Sequence, residues 1–199
     1  MSKRGRIGID GVEELMRAVQ GFERGGPQVA ARALNKTAGN ARTEAVRLLR
    51  QLLNLKAKDI RSGLSIHRAN PKSLRAAVIA RGKRGVPLAK YPVRPGRPNP
   101  KRPPAKGVSV QIKRFGGSKV VKGAFVSKMK SGHTGVYRRQ GAKRLPIKEL
   151  YGPNFVQYLD GGRVRRKLDR LIGRRLEHNL RHEINWQIQK QFNQIKGAR

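Results

Sequence analysis

Between Asp59 and Glu149 the chain has no carboxylate: 89 consecutive positions carry 24 Lys and Arg residues and no Asp or Glu. Soluble surfaces ordinarily intersperse both signs. A stretch of this kind has no internal ion pairs with which to offset its charge. The whole chain repeats the imbalance, with 47 Lys and Arg against 11 Asp and Glu in 199 residues and a formal net charge of +36. Self-repulsion at that charge works against a compact isolated monomer. An anionic partner would relieve it, whether nucleic acid, an anionic membrane surface or an acidic protein.

The apolar share is 37%, enough for one modest core, and the aromatic share of 5% means that the core rests on Leu, Ile, Val and Ala. There is no cysteine, which excludes disulfides, thiolate metal sites and cysteine nucleophiles. No apolar run approaches the roughly 20 residues needed to span a bilayer. The basic start, Lys3-Arg4-Gly5-Arg6, is not followed by an apolar stretch of signal-peptide length. The chain is therefore expected in the cytoplasm until it is assembled, with no membrane partner.

Periodicity divides the chain into three regions. Residues 11–24 read as a short helix, with Asp10 as N-cap and Glu13 at capping-box spacing. Gly25-Gly26 ends it, and Pro27 opens the next helix. Ala30, Ala33, Leu34, Ala38, Ala41, Ala45, Leu48, Leu49, Leu52 and Leu53 then recur at spacings of three and four, the stripe of a helix of about 25 residues. Residues 55–64 read as a further turn or two. From about 65 the period shortens, and strands are expected at 74–81, 107–114, 120–127 and 134–139. Val108, Val110 and Ile112 alternate with polar neighbours, as a half-buried strand requires. Six prolines within 92–106 exclude a helix or a central strand there and predict an extended, semi-rigid arm. A second long stripe, Val164, Leu168, Leu171, Ile172, Leu176, Leu180, Ile184, Ile188 and Phe192, follows the Asp160-Gly161-Gly162 break. Together these predict one α+β domain over 1–199. N-terminal helices over 1–64 and a long C-terminal helix within 151–199 would pack on a central antiparallel sheet over 65–150, which carries the Pro-rich arm.

Catalytic and metal patterns are sparse. Asp169 and Glu177 are two helical turns apart and read as surface carboxylates. His178 and His182 share a helix face but lack the HExxH arrangement and an evident third ligand. His67 and His133 have no carboxylate or nucleophile beside them in sequence. Gly116-Gly117 reads as a hairpin turn, and Gly132 and Gly135 as shaping a turn around His133. Tyr137, Tyr151, Phe155 and Tyr158 read as core or interface residues. No phosphate-binding glycine pattern occurs. The expectation is no enzyme activity, no cofactor and no metal; a nuclease would need more carboxylates near the sheet. No helix-turn-helix, zinc-finger or RNA-binding sheet signature appears, so nucleic-acid contact would be to backbone rather than to bases.

Two blocks carry a family resemblance. One is ARALNKTAGNARTEAVRLLRQLLNLKAKDIRSGL at 31–64; the other is GAFVSKMKSGHTGVYRRQGAKRLPIKELYGP at 123–153. Together, over roughly 30–160, they resemble the prophage minor tail protein Z family of long-tailed phages. The second block is the more specific, because its glycines, His133 and the run from Leu145-Pro146-Ile147 to Gly152-Pro153 are not dictated by periodicity. The resemblance implies a structural virion protein in the tail–neck region: a tail completion protein at the head-proximal end of the tail. It would form a ring of subunits, six by expectation, with the tail tube or tail terminator protein, the head–neck connector proteins and the end of the double-stranded genome as partners.

Within the matched block and just after it, Lys128, Lys130, Arg138, Arg139, Lys143 and Arg144 cluster and are the expected contacts to DNA or to acidic partners. Arg94, Arg97, Lys101 and Arg102 are the expected contacts on the arm. Composition alone favours a different class, a ribosomal or nucleoid protein that would co-purify with nucleic acid and lose it steeply with salt.

Overall fold

The computed structural model describes residues 4–9, 17, 25–81, 85–98, 104–154 and 156–197. The helix expected over 11–24 lies outside these residues apart from Arg17. The α+β class holds: four helices and three small antiparallel sheets make up the described chain. Residues fall into two compact units interleaved along the sequence. One comprises 4–45, 64–81 and 159–199; the other comprises 46–63 and 82–158 together with 1–3.

The first unit is built on two long helices. Helix α1 (Gly26–Leu52) starts after Gly25, whose φ of +105° suits glycine, and Pro27 sits in the first turn, where a missing N–H costs nothing. Its Ala-rich stripe is closed off: Ala30, Ala33, Leu34, Ala38, Ala41 and Ala45 are each fully buried. Sheet β1–β3–β2 belongs to this unit. Strand β3 (Ala76–Arg81) is central, with β1 (Arg4–Ile9) and β2 (Leu64–His67) antiparallel on either side. The sequence reading missed β1 because of its arginines. The signal was the alternation of buried Gly5, Ile7 and Ile9 with exposed Arg6. Leu64, expected at the end of a helical turn, opens β2, and residues 65–67, to which no strand was assigned, complete it. The Asn35 side-chain amide acts as a strand partner for Ala69: its Nδ2 donates to the Ala69 carbonyl at 2.9 Å, and the Ala69 N–H donates to its Oδ1 at 2.8 Å.

Helix α4 (Gly162–Gly197) completes the first unit, separated at Gly161 from the short helix α3 (Val156–Asp160). Val164, Leu168, Ile172 and Leu176 are buried, as their spacing predicts. The stripe does not stay covered: Ile188 and Phe192 are exposed, and Trp186 is half-exposed. Arg32 on α1 ties this end down. Its Nε donates to Glu183 at 2.9 Å, its guanidinium lies 4.7 Å above the Trp186 ring, and a second nitrogen donates to Gln187. One polar pair lies deep between these helices. Asn179 Nδ2 donates to Thr37 Oγ1 at 2.9 Å, and that hydroxyl donates to the Ala33 carbonyl at 2.8 Å.

In the second unit, α1 ends by turning into extended chain. Leu53 bridges Lys113, while Leu52 is left 39% exposed at the helix end. Helix α2 (Ala57–Ser62) follows, with Asp59 paired to Lys90 at 3.0 Å. A 3₁₀ turn at Leu88–Lys90 leads to sheet β4–β5–β6, made of β4 (Val93–Arg94), β5 (Val108–Val110) and β6 (Lys119–Val121). The third sheet is β7 (Ala124–Lys128), β8 (Thr134–Arg139) and β9 (Ile147–Glu149). The strand expected over 120–127 is thus two strands in two sheets. Gly123, at φ +68°, turns the chain between them. Gly116-Gly117 does lie in the connection of the β5–β6 hairpin, as expected. Of the arm, Val93-Arg94 pairs with β5 and residues to 98 are exposed; residues 99–103, with Lys101 and Arg102, lie outside the described chain.

Candidate functional site

Strand register sets the chemistry of the β7–β8–β9 sheet. Paired residues share a face, so Ala124, Arg138 and Lys148 form one row, and Phe125, Tyr137 and Glu149 form the row behind it. Val126, Val136, Phe125 and Tyr137 are buried, so both faces are covered near the middle and the cations are pushed to the ends.

The six expected contact residues therefore separate. Lys128 and Lys130 stand at the β7–β8 turn, both exposed. Arg138, Arg139, Lys143 and Arg144 stand at the opposite end, about 15 Å away for a strand of this length. Arg138 and Arg139 also part company. Arg138 is exposed beside Lys148, a like charge directly across the strands. Arg139 is half-buried. Its guanidinium lies 5.5 Å over the Phe125 ring and donates to the Arg144 carbonyl at 2.9 Å, so it ties the 140–146 loop to the sheet. The sequence reading missed Lys148, which strand pairing brings into the cluster from ten residues beyond Arg138. On the arm, Arg94 and Arg97 are exposed.

One carboxylate lies on this sheet, and it is fully engaged. Glu149 Oε1 is 2.8 Å from His133 Nε2, and its Oε2 accepts the Tyr151 hydroxyl at 2.8 Å. This corrects the expectation that His133 has no carboxylate beside it: 16 residues of sequence are closed by the β8–β9 pairing. Gly135 makes the room. It lies within β8 rather than in the turn, and a Cβ there would come within 2.8 Å of the Tyr137 ring and 2.9 Å of Glu149 Oε1. Gly132, at φ +82°, is the residue that turns the chain. Burial first, then the charge of Glu149 and the neighbouring Tyr151, raise the Tyr137 hydroxyl above the usual tyrosine value. The result is an end of the sheet where Arg138, Lys143, Arg144 and Lys148 meet no carboxylate among the described residues, because Glu149 turns to His133 and Tyr151.

The remaining carboxylates of the notable pairs are surface ion pairs on α4: Asp169 with Arg165 and Glu177 with Arg181, each one turn apart. His178 and His182 are exposed on the same helix, and no group of three or more metal-ligating side chains occurs among the described residues. No helix among the described residues is long and apolar enough to cross a membrane.

Sequence comparison places this geometry. No curated protein and no solved structure shows a significant match to the chain. The match to the family described as prophage minor tail protein Z (GPZ) covers residues 9–194, extending well beyond the two resembling blocks, from the last residue of β1 through nearly all of α4. With a structural role in a phage tail thus indicated, the chain belongs to the prophage minor tail protein Z family.

Proposed function

We propose that this protein is a tail completion protein. It acts in the virion at the head-proximal end of the tail and joins the tail to the head–neck connector. It works without catalysis, as a ring of subunits, six by our reading, seated against the tail tube or tail terminator protein. The observation that carries the contact chemistry is the cluster Arg138, Lys143, Arg144 and Lys148, uncompensated among the described residues, where Glu149 on the same sheet is held by His133 and Tyr151. Such a cluster suits an acidic face of a neighbouring tail or connector subunit, or the end of the double-stranded genome. Charge of this kind gives orientation and fast association more than raw affinity, which is what a late joining step needs.

The test is complementation of a phage lacking the gene, supplied with the chain carrying R138Q, K143Q, R144Q and K148Q. Tails of normal length should accumulate, and electron micrographs should show few joined to heads. Normal joining and plaque titre, either with this variant or with no protein supplied, would refute the proposal.

A further inference from the structure

The outward face of α4 is a second cationic surface, built differently from the sheet. Arg163, Arg166, Lys167, Arg170 and Arg174 recur at spacings of three and four, and all five are exposed. They lie opposite the buried Val164, Leu168, Ile172 and Leu176. Among the described residues none of the five has an ion-pair partner. Asp169 is taken by Arg165, Glu177 is taken by Arg181, and Asp160 lies beyond the Gly161 break.

We propose that this face binds the sugar–phosphate backbone of duplex DNA without reading its sequence. From Arg163 to Arg174 the helix rises about 16 Å. A duplex of that length carries about ten phosphates, about five on each strand, so five cations match one strand. The composition of the face favours a duplex over other anionic partners. The five outward positions are all cationic, whereas protein interfaces need an apolar or aromatic centre and are poor in lysine. The segment has no aromatic residue before Trp186 on which bases of a single strand could stack. The sequence carries no helix-turn-helix, zinc-finger or other base-reading signature, so the contacts are positional.

The experiment is duplex binding by the full chain, measured by fluorescence anisotropy with a 20-base-pair DNA of arbitrary sequence over a salt series. The variant R163Q/R166Q/K167Q/R170Q/R174Q should lower the slope of log affinity against log salt by about 4.5. Between 50 and 200 mM salt, the native chain should then lose about 500-fold more affinity than the variant. The control K56Q/K58Q/R68Q/K72Q/R75Q removes the same charge from exposed positions elsewhere and should change the slope by less than about one. Equal changes in both variants mean that net charge alone is at work, and the proposal fails. A polyglutamate chain of equal charge is the protein arm: binding as tight, and as dependent on the same five residues, assigns the face to an acidic protein and overturns the proposal. All five positions face away from the core. If the fivefold variant nevertheless misfolds, R166Q/R170Q/R174Q gives the same test with an expected slope change of about 2.7, and no change is fatal to the idea. Tail joining by the sheet variant is a separate readout, so either proposal can fail alone.

Discussion

The buried pair Thr37–Asn179 should behave as a pin between α1 and α4. Asn179 lies nine residues after Arg170, which at about 100° per residue puts it on the opposite side of the helix from the cationic face. Fixing Asn179 against α1 therefore fixes which way the arginines point. The energetics follow from who is left without a partner. Thr37→Val leaves the Asn179 amide with no acceptor in a dry interface, where both residues are at most 4% exposed, and should cost about 1–3 kcal/mol. Asn179→Leu is milder, about 1 kcal/mol, because the Thr37 hydroxyl still donates to the Ala33 carbonyl. The double variant replaces both partners with apolar groups of similar shape and should recover most of the loss. The cycle therefore predicts a coupling energy of about 1–3 kcal/mol. Each kcal/mol should move the thermal midpoint by about 2–4 °C in a chain of this size. Urea denaturation followed by circular dichroism, with amide exchange in α1 as a local probe, measures it. If the two single effects add within about 0.5 kcal/mol, the pair does not interact and the pin argument is wrong.

Four further outcomes are expected. Gly135→Ala places a methyl against the Tyr137 ring and the Glu149 carboxylate; overpacking of this kind should cost about 1–3 kcal/mol in thermal melts, and an unchanged midpoint would contradict the packing described. Arg139→Gln should cost about 1–2 kcal/mol through the lost stacking on Phe125 and the lost bond to the Arg144 carbonyl. Arg138→Gln, which relieves a like charge opposite Lys148, should stay within about 0.5 kcal/mol of the native chain; reversed costs for the two would show that the faces are misassigned. Tyr91 is buried, its hydroxyl has no partner among the described residues, and burial, then Tyr158, push its value up to about 12. Its folded value lies above that of the unfolded chain, so the stability tied to its neutral form is complete below about pH 10 and is lost as pH rises toward 12. Tyr91→Phe should be neutral or stabilising near pH 8 and should flatten the decline between pH 10 and 12, seen in melts of both chains; parallel declines would exclude the linkage.

The two long helices were legible in the sequence because burial on one face writes a period of three to four into Ala, Leu and Ile. The sheets were less so. Strand β1 hides its alternation behind Gly5 and Gly8, which carry no apolar side chain, and behind Arg4 and Arg6. The run from 120 to 127 looks continuous in hydrophobicity, yet a left-handed glycine at 123 breaks it. That is how one expected central sheet becomes three small ones. The candidate site was half legible. Charge in the matched block drew attention to one segment, but adjacent residues on a strand face opposite ways, so the sequence did not show that Arg138 and Arg139 stand on different faces. Lys148 and the His133–Glu149 contact depend on which strand lies beside which, and a single sequence does not encode that in any local pattern.

The two cationic surfaces also explain why the charge looks wasteful on the isolated chain. Along α4 the pairs Arg163–Arg166, Arg163–Lys167, Arg166–Arg170, Lys167–Arg170 and Arg170–Arg174 all sit three or four residues apart. Like charges at that spacing each cost about 0.2–0.5 kcal/mol, so the helix gives up about 1–2.5 kcal/mol on one face. Arg138 opposite Lys148 adds a cost of the same kind on the sheet. A helix and a sheet that only needed to fold would place carboxylates at these positions, and α4 does so at Arg165–Asp169, within the span of the run but off its face, and at Arg181–Glu177 beyond it. The chain can therefore make such pairs and omits them where the five cations stand. An arrangement that weakens the free protein but gains counterion release and direct pairing once a polyanion or an acidic subunit is present favours the assembled state over the free one. Salt should then act in opposite directions on the two states, screening the repulsion that strains the free chain and weakening the contacts that hold the bound one.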